Sequence, residues 1–415
     1  MLTLSVARQL IILRSRLGVS AIWLAVPLLL PGLAVGAEVI VQPSAYVGVE
    51  SNSNLDLTPG GQAEVTGYVA NLASVVGIAT PNSSTTIKPR LDYRDYPTDK
   101  EDNRLEAYLD FNSIYKGQRS SASISGTFDH RDEFNAEQTQ ALYNDVNPNQ
   151  STAPQTGRTI TGATRDSLYV VPSYTYSLTP RIAAGVSGLY QKIEYSPNDN
   201  GRFVDFDYYQ EKAYLVWSFS QKSDLTFGGY GNKYNATKFD SKATAEGGSV
   251  DLNTSWTPLL STRASVVVQH SDIEYEIPPV FNGTVNTWGG SLNATYKAET
   301  QTFRTDLSRL LTPSGGGSVY VVDQLQFQYE RHFTQRLSLT TAAIYLRNRA
   351  LTDAASGNGR NYLRSVVEMK WMVARTWFVQ GGYQYTWQKY QLEPDGAANN
   401  RFYLRFGYQG LDRQW

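Results

Sequence analysis

The chain has 415 residues, with 37 lysines and arginines against 38 aspartates and glutamates and a formal net charge of −1. That balance gives no concentrated basic face, which sets nucleic acid aside as a partner. With no cysteine, the fold must be held by hydrogen-bond ladders and packing alone.

The first 37 residues read as a secretory signal peptide. Arg8, Arg14 and Arg16 form a basic start, "LGVSAIWLAVPLLLPGLAVG" is the apolar core, and Val35-Gly36-Ala37 offers small residues for cleavage before Glu38. The expected organisation is thus 1–37 signal peptide and 38–415 a single outer-membrane β-barrel. No later segment approaches the roughly 20 apolar residues of a membrane helix. The 28 Tyr, 15 Phe and 8 Trp suit a transmembrane β-barrel, although a secreted sandwich or a solenoid shares that composition.

Strand periodicity decides among these, because successive side chains of a strand point to opposite faces. In 87–94, Ile87, Pro89, Leu91 and Tyr93 oppose Lys88, Arg90, Asp92 and Arg94. In 104–112, Leu105, Ala107, Leu109 and Phe111 oppose Arg104, Glu106, Tyr108, Asp110 and Asn112. In 324–330, Leu325, Phe327 and Tyr329 oppose four polar residues, and 362–373 sets Leu363, Val367, Met369 and Trp371 against Arg364, Glu368 and Lys370. Several such runs extend past about 10 residues, the length a tilted strand needs to cross a bilayer and longer than the usual 5–6 of globular strands.

In chain order the predicted strands are 44–53, 65–79, 84–96, 104–116, 119–133, 165–178, 181–196, 205–220, 223–237, 243–257, 261–276, 286–299, 301–312, 319–333, 335–349, 361–374, 376–390 and 400–410. Short polar joins such as "YSLTPRI", "SWTPLLS" and "RHFTQRL" recur roughly every 40 residues, and longer Gly-, Asn- and Asp-rich segments alternate with them. That alternation predicts an all-β, antiparallel up-and-down transmembrane barrel of about 18 strands, with 16 as the alternative count, short periplasmic turns and longer extracellular loops. Segment 134–164 is the largest expected loop and should lie outside the cell.

No catalytic, cofactor-binding or metal-ligating set is read. His130 in "FDHRDEF" lies near acids but lacks a serine elbow or a second His, so a barrel hydrolase is the weakest of the functional readings. "ESNSNLDLT" lacks the ordered spacing of a calcium loop, and "LTPSGGGS" lacks the lysine of a phosphate loop. The polar face carries the candidate lumen lining: Lys88, Arg90, Asp92, Arg94, Glu106, Asp110, Arg304, Asp306, Glu330, Arg364, Glu368, Lys370 and Arg405. These residues either stiffen the wall as pairs or guide a polar solute.

The segments "AYVGVESNSNLDLTP", "YTYSLTPRIAAG" and "LSRLLTPSGGGSVYVVDQLQFQYERHFTQRLSLT" resemble the second group of beta-barrel porins, over nearly the whole chain beyond the signal peptide. These are structural joins, so the resemblance carries no functional residue. It implies an outer-membrane barrel and, through some relatives, exopolysaccharide or capsule export. The expected function is a porin-like, non-enzymatic conduit for polysaccharide export or polar solutes in a Gram-negative outer membrane. A closed docking barrel is the alternative. The expected partners are outer-membrane lipid, the barrel-assembly machinery, polysaccharide and periplasmic export components, with no cofactor and no nucleic acid.

Overall fold

The computed structural model describes residues 37–61, 63–98, 103–138, 141–142, 163–196, 203–236, 241–275, 281–315, 319–351, 359–411 and 413–414. The proposed signal peptide therefore lies outside the described residues. The strands are β1 Glu38–Asn52, β2 Val65–Ala79, β3 Ser83–Asp95, β4 Arg104–Lys116, β5 Ser120–Asp132, β6 Thr164–Ser177, β7 Ile182–Ser196, β8 Phe206–Ser218 and β9 Ser223–Ala236. They continue as β10 Ser241–Ser255, β11 Leu260–Tyr275, β12 Phe281–Lys297, β13 Gln301–Pro313, β14 Val319–His332, β15 Leu337–Ala350, β16 Arg360–Met372, β17 Trp377–Tyr390 and β18 Ala397–Gln409. A two-residue strand, β19 Arg413–Gln414, pairs beside the start of β1, and one short helix, α1 Glu133–Glu137, follows β5.

Each long strand pairs antiparallel with its neighbour in sequence, and β18 pairs with β1 from Ser44↔Gln409 to Asn52↔Arg401. The sheet is thus a closed barrel of 18 long strands, which settles the count against 16. The first strand begins at Glu38 rather than 44, because its N-terminal half pairs with β2 through Glu38↔Ala79. The proline at 43 does not break it. The last runs 397–409, earlier than 400–410, and the terminal Trp415 lies outside the described residues.

The recurring joins have a local cause. In "LTPRI", the Thr179 hydroxyl accepts from the amides of Arg181 (3.2 Å) and Ile182 (3.0 Å). Thr257 does the same for Leu259 and Leu260, and Thr334 for Arg336 and Leu337. A hydroxyl that captures the turn's own amides closes the hairpin without help from another strand. The repeated threonine is therefore a turn cap, and its spacing follows from strand length.

The two faces divide by chemistry. Val47, Leu72, Val186, Leu215, Val266, Leu307, Leu325 and Val367 are exposed on the outer face. Trp217, Trp256, Trp371 and Trp377, also exposed, ring the short-turn end. An exposed apolar band bounded by aromatics is stable only against hydrocarbon. The inner face near the longer loops is fully buried, with Ile193, Tyr320, Ile344 and Tyr362 all at 0% exposure.

The register makes a sharp test. Val367 is 44% exposed on the outer face and Glu368 points inward to the Tyr403 hydroxyl. Val367→Arg should cost about 2–4 kcal/mol of folding free energy near the bilayer midplane, whereas Glu368→Gln should cost less than about 1 kcal/mol, the scale of one modest hydrogen bond. Urea titrations in lipid vesicles measure both. The reverse order would show the faces to be exchanged.

Candidate functional site

The candidate site is the barrel interior, and the residues that fill it come from unexpected places. The segment after β5 does not extend outward. α1, Gln138 and residues 141–142 turn into the lumen and lie between β4–β6 and β14–β16. At one end, Asn135 Nδ2 donates to Glu106 Oε1 (2.7 Å) and the Glu133 amide donates to the Ala163 carbonyl (2.8 Å). At the other, Arg360 Nη2 donates to the Glu137 carbonyl (2.9 Å), Arg364 Nη1 to the Gln138 carbonyl (3.1 Å) and Gln326 Nε2 to the Ala141 carbonyl (2.9 Å). Ala141 also joins an apolar cluster with Tyr320, Val322, Ala342, Ile344, Leu346, Tyr362 and Val366. This corrects the expectation of 134–164 as an external loop: its described part is internal. The rest of that segment, including Asn149, lies outside the described residues.

Two further segments fold over the same end. Between β7 and β8, Phe203 stacks on Tyr195 at 4.8 Å, and the Val204 amide donates to the Gly315 carbonyl (2.8 Å). The Tyr234 hydroxyl donates to the Ser314 carbonyl (2.8 Å). Gly315 sits so close to the Tyr195 ring that a Cβ there would lie 2.0 Å from its hydroxyl oxygen, so only glycine fits. The glycines of "LTPSGGGS" thus serve packing at 315, while 316–318 lie outside the described residues. Between β1 and β2, Asn54 binds its own loop: Oδ1 accepts from the Thr58 amide (3.1 Å) and Nδ2 donates to the Thr58 carbonyl (3.0 Å). Those bonds occupy the side chain that a calcium site would have used. Leu57, in the left-handed region at φ 50°, is buried, and its carbonyl accepts from Gln388 (3.2 Å).

All thirteen candidate lining residues stand on the face opposite the exposed apolar belt, but they fall into different settings. Arg94 pairs with Glu106 (3.1 Å), which is 2% exposed, and approaches Glu50 (3.9 Å). Arg90 pairs with Asp92 (3.1 Å) and lies over the Tyr108 ring. Lys88 stands opposite Asp110, which accepts from Thr127 (2.8 Å). Asp306 accepts from Asn293 and from Ser308 (2.9 Å). Arg304 stands opposite Gln328. Glu330 pairs with His332 (3.1 Å) near the short-turn mouth. Lys370 donates to Gln409 (2.7 Å), and Arg405 lies over the Tyr403 and Tyr46 rings. Arg364 is 4% exposed and holds Gln138.

Sequence reasoning missed the densest part of the site. Glu50 receives Arg401 and the Tyr96 hydroxyl. Asp129 receives Arg131 (2.8 Å) and Arg165 (3.2 Å), and Glu137 lies 3.6 Å from Arg360 with both side chains fully buried. Alternation alone would have placed Glu50, Asp129, Arg165 and Arg401 inward. The cross-strand partners, Arg165 for Asp129 and Arg401 for Glu50, are set by strand register, which no single strand encodes. His130, by contrast, faces outward, with Nδ1 2.6 Å from Asp166 Oδ1 on the outer wall.

The interior is unequal along its axis. Inward residues near the short turns, such as Ser261, Arg263 and His332, are exposed, whereas those near α1 are buried. The described residues therefore form an open vestibule that narrows onto α1.

No family model matches the sequence, and no curated protein does. The resemblance to the second group of beta-barrel porins and the exopolysaccharide link gain no support from either. Among solved structures, the chain is similar to Pseudomonas aeruginosa OccK11 (OpdR) at 13% identity, covering 90% of this chain and 96% of that one, with a TM-score of 0.43. It is similar to Acinetobacter baumannii OccAB4 at 11% identity, covering 91% and 100%, with a TM-score of 0.42. It is also similar to the Pseudomonas aeruginosa siderophore receptor PirA at 11% identity, covering 89% and 80%, with a TM-score of 0.39. At such identities and scores these likenesses decide neither solute nor gating.

The seat of α1 should respond to pH. Burial pushes the Glu133 carboxyl well above its ordinary range; the Glu137 carboxylate adds to that, while Arg165 and Arg131 pull the other way. A carboxyl raised in the docked state favours docking while protonated. Seating is then full below the ordinary carboxyl value of about 4.3 and weakens as pH climbs through the raised one. Glu133→Gln keeps the neutral form at every pH. Hydrogen exchange at residues 133–138, corrected for the intrinsic rate, should show protection falling with pH in the wild type and holding level in the variant. Parallel profiles would remove Glu133 as the titrating group.

Proposed function

We propose that the protein is a porin-like channel of the Gram-negative outer membrane, passing small polar solutes through a charge-lined lumen narrowed by α1, Gln138 and residues 141–142. The observation that carries this reading is the crossing segment itself. A closed wall with an apolar exterior could be a mere scaffold, but a charged vestibule that leads onto a hydrogen-bonded latch has the form of a selectivity constriction. In this reading residues 1–37 are a cleaved signal peptide, the barrel-assembly machinery inserts the chain, and the exposed members of the thirteen inward residues meet the solute while the buried Glu106 and Arg364 hold the wall and the constriction. Enzymatic chemistry has no part in it.

The same segment argues against the expected polysaccharide route. A polymer occupies the whole path at once, so α1, Gln138 and Ala141 would have to leave the lumen and break their bonds to Arg360, Arg364 and Gln326. A small solute needs only local movement. The closed docking barrel is the second reading, supported by the buried apolar cluster at the loop end.

Conductance in planar bilayers separates the two. The wild type should show small, stable channels. Arg360→Ala with Arg364→Ala removes two guanidinium donors that hold α1 and should raise unit conductance several-fold. Neutralising Lys88, Arg90, Arg94, Arg364 and Lys370 together should shift selectivity toward cations, and less so in 1 M salt, where the Debye length is about 3 Å. A silent wild type that stays silent in the latch variant would leave the docking barrel as the better account.

A further inference from the structure

The outer wall carries a charged patch that the lumen does not use. Arg309 on β13, Asp323 on β14 and Arg347 on β15 stand directly opposite one another in adjacent strands. Arg349 stands two residues beyond Arg347 and donates to Asp323. All four share the outer face with the exposed Leu307, Leu325 and Tyr345. Three guanidinium groups thus meet one carboxylate, in a position where a barrel normally presents apolar side chains.

Height explains the exception. Arg347 is ten residues along β15 from Leu337. At the usual rise and tilt that places it about 25 Å above the short-turn end, matching the apolar band of such barrels. The patch therefore lies where hydrocarbon gives way to headgroups. Arg309 is anchored at that boundary by Trp288, its guanidinium 4.5 Å from the ring centroid, and by Asp323 at 3.6 Å. Trp288 is itself 57% exposed, as an interfacial aromatic is. Long arginine stems cover apolar surface while their heads reach upward into the polar layer.

We infer that Arg309, Arg347 and Arg349 form a seat for a phosphate of a glycolipid in the outer leaflet, with the acyl chains lying against the belt below. The excess of two positive charges matches a phosphate monoester. Planar guanidinium groups on neighbouring strands offer the paired donors that phosphate oxygens accept. Asp323 holds two of the arginines in place and leaves Arg347, which is exposed, free to close on the ligand. This inference rests on the membrane orientation proposed above, with short turns in the periplasm.

Native mass spectrometry of the purified barrel in detergent tests it, using bisphosphorylated lipid A as the probe. Arg309→Gln, Arg347→Gln and Arg349→Gln combined should weaken binding at least tenfold, which is about 1.4 kcal/mol. Lys192→Gln, Lys233→Gln and Lys242→Gln combined, on the outer face of β7, β9 and β10, should leave it unchanged. Dephosphorylated lipid A should bind the wild type no better than it binds the arginine variant. Heat-modifiable migration on gels reports that each barrel is folded. If the triple variant does not fold, Arg347→Gln alone carries the test, with a loss of at least threefold. Undiminished binding by the arginine variants, or equal binding of the dephosphorylated lipid, overturns the seat. Equal binding of phosphatidylglycerol also overturns it as a glycolipid site, and would point to an inverted orientation. None of these outcomes depends on conductance, so failure here is distinct from failure of the channel reading.

Discussion

Everything in this molecule follows from the requirement that no strand edge be left open. In hydrocarbon an unpaired amide or carbonyl has no water to turn to, and each costs several kcal/mol. Pairing of β18 with β1 over Ser44↔Gln409 to Asn52↔Arg401 meets that requirement. Once the sheet is closed, every residue has only two directions, lipid or lumen. The strict alternation of the sequence is the chemical consequence. Leu325 and Val367 can face lipid only because Gln326 and Glu368 face the other way.

Closure also concentrates charge. An inward guanidinium cannot reach bulk water where the lumen is filled, so it must find an acceptor inside. The structure solves this with clusters that span the wall: Glu50 with Arg94 and Arg401, and Asp129 with Arg131 and Arg165. Removing one partner of such a buried pair typically costs about 3–5 kcal/mol, because the other is left uncompensated. The crossing segment uses the same economy. Arg360, Arg364 and Gln326 bind carbonyl oxygens of Glu137, Gln138 and Ala141. They thereby satisfy backbone groups that a buried, irregular segment would otherwise leave unpaired.

Those backbone contacts also explain what the sequence showed and what it hid. Strand number, direction and face were legible, because a period of two over ten or more residues has no rival interpretation, as in 362–373. The short joins were legible too, since Thr179, Thr257 and Thr334 close turns through local bonds. The inward seat of 133–138 and 141–142 was not. A segment held largely by its carbonyls, with Asn135, Glu137 and Gln138 adding side-chain contacts, shows no marked pattern of its own. "EFNAEQTQAL" reads as an ordinary polar loop. The arginines that hold it lie more than 200 positions away, at 360 and 364, and looked like any other inward charge. The Arg309–Asp323–Arg347 row escaped notice for a related reason: cross-strand register is a product of closure, and no single strand encodes it.

Selectivity should reside where the interior is dry. Lys88, Arg304 and Glu330 line the more open half, where water screens a charge within a Debye length of about 8 Å at physiological ionic strength. Such groups steer a solute toward the constriction and do little to choose among solutes. Arg364 stands in the opposite condition. It is 4% exposed, it donates to the backbone and side-chain carbonyl oxygens of Gln138 and to the hydroxyl of Thr386, and no carboxylate is among the partners described for it. A charge held by dipoles alone in a low-dielectric setting keeps a field that a paired arginine such as Arg94 has already spent on Glu106. If α1 and Gln138 shift together, the Gln138 contacts break along with those of Glu137 to Arg360, and the Arg364 guanidinium would be freed toward the path. In the proposed channel, opening the constriction and exposing the Arg364 guanidinium would therefore be one event.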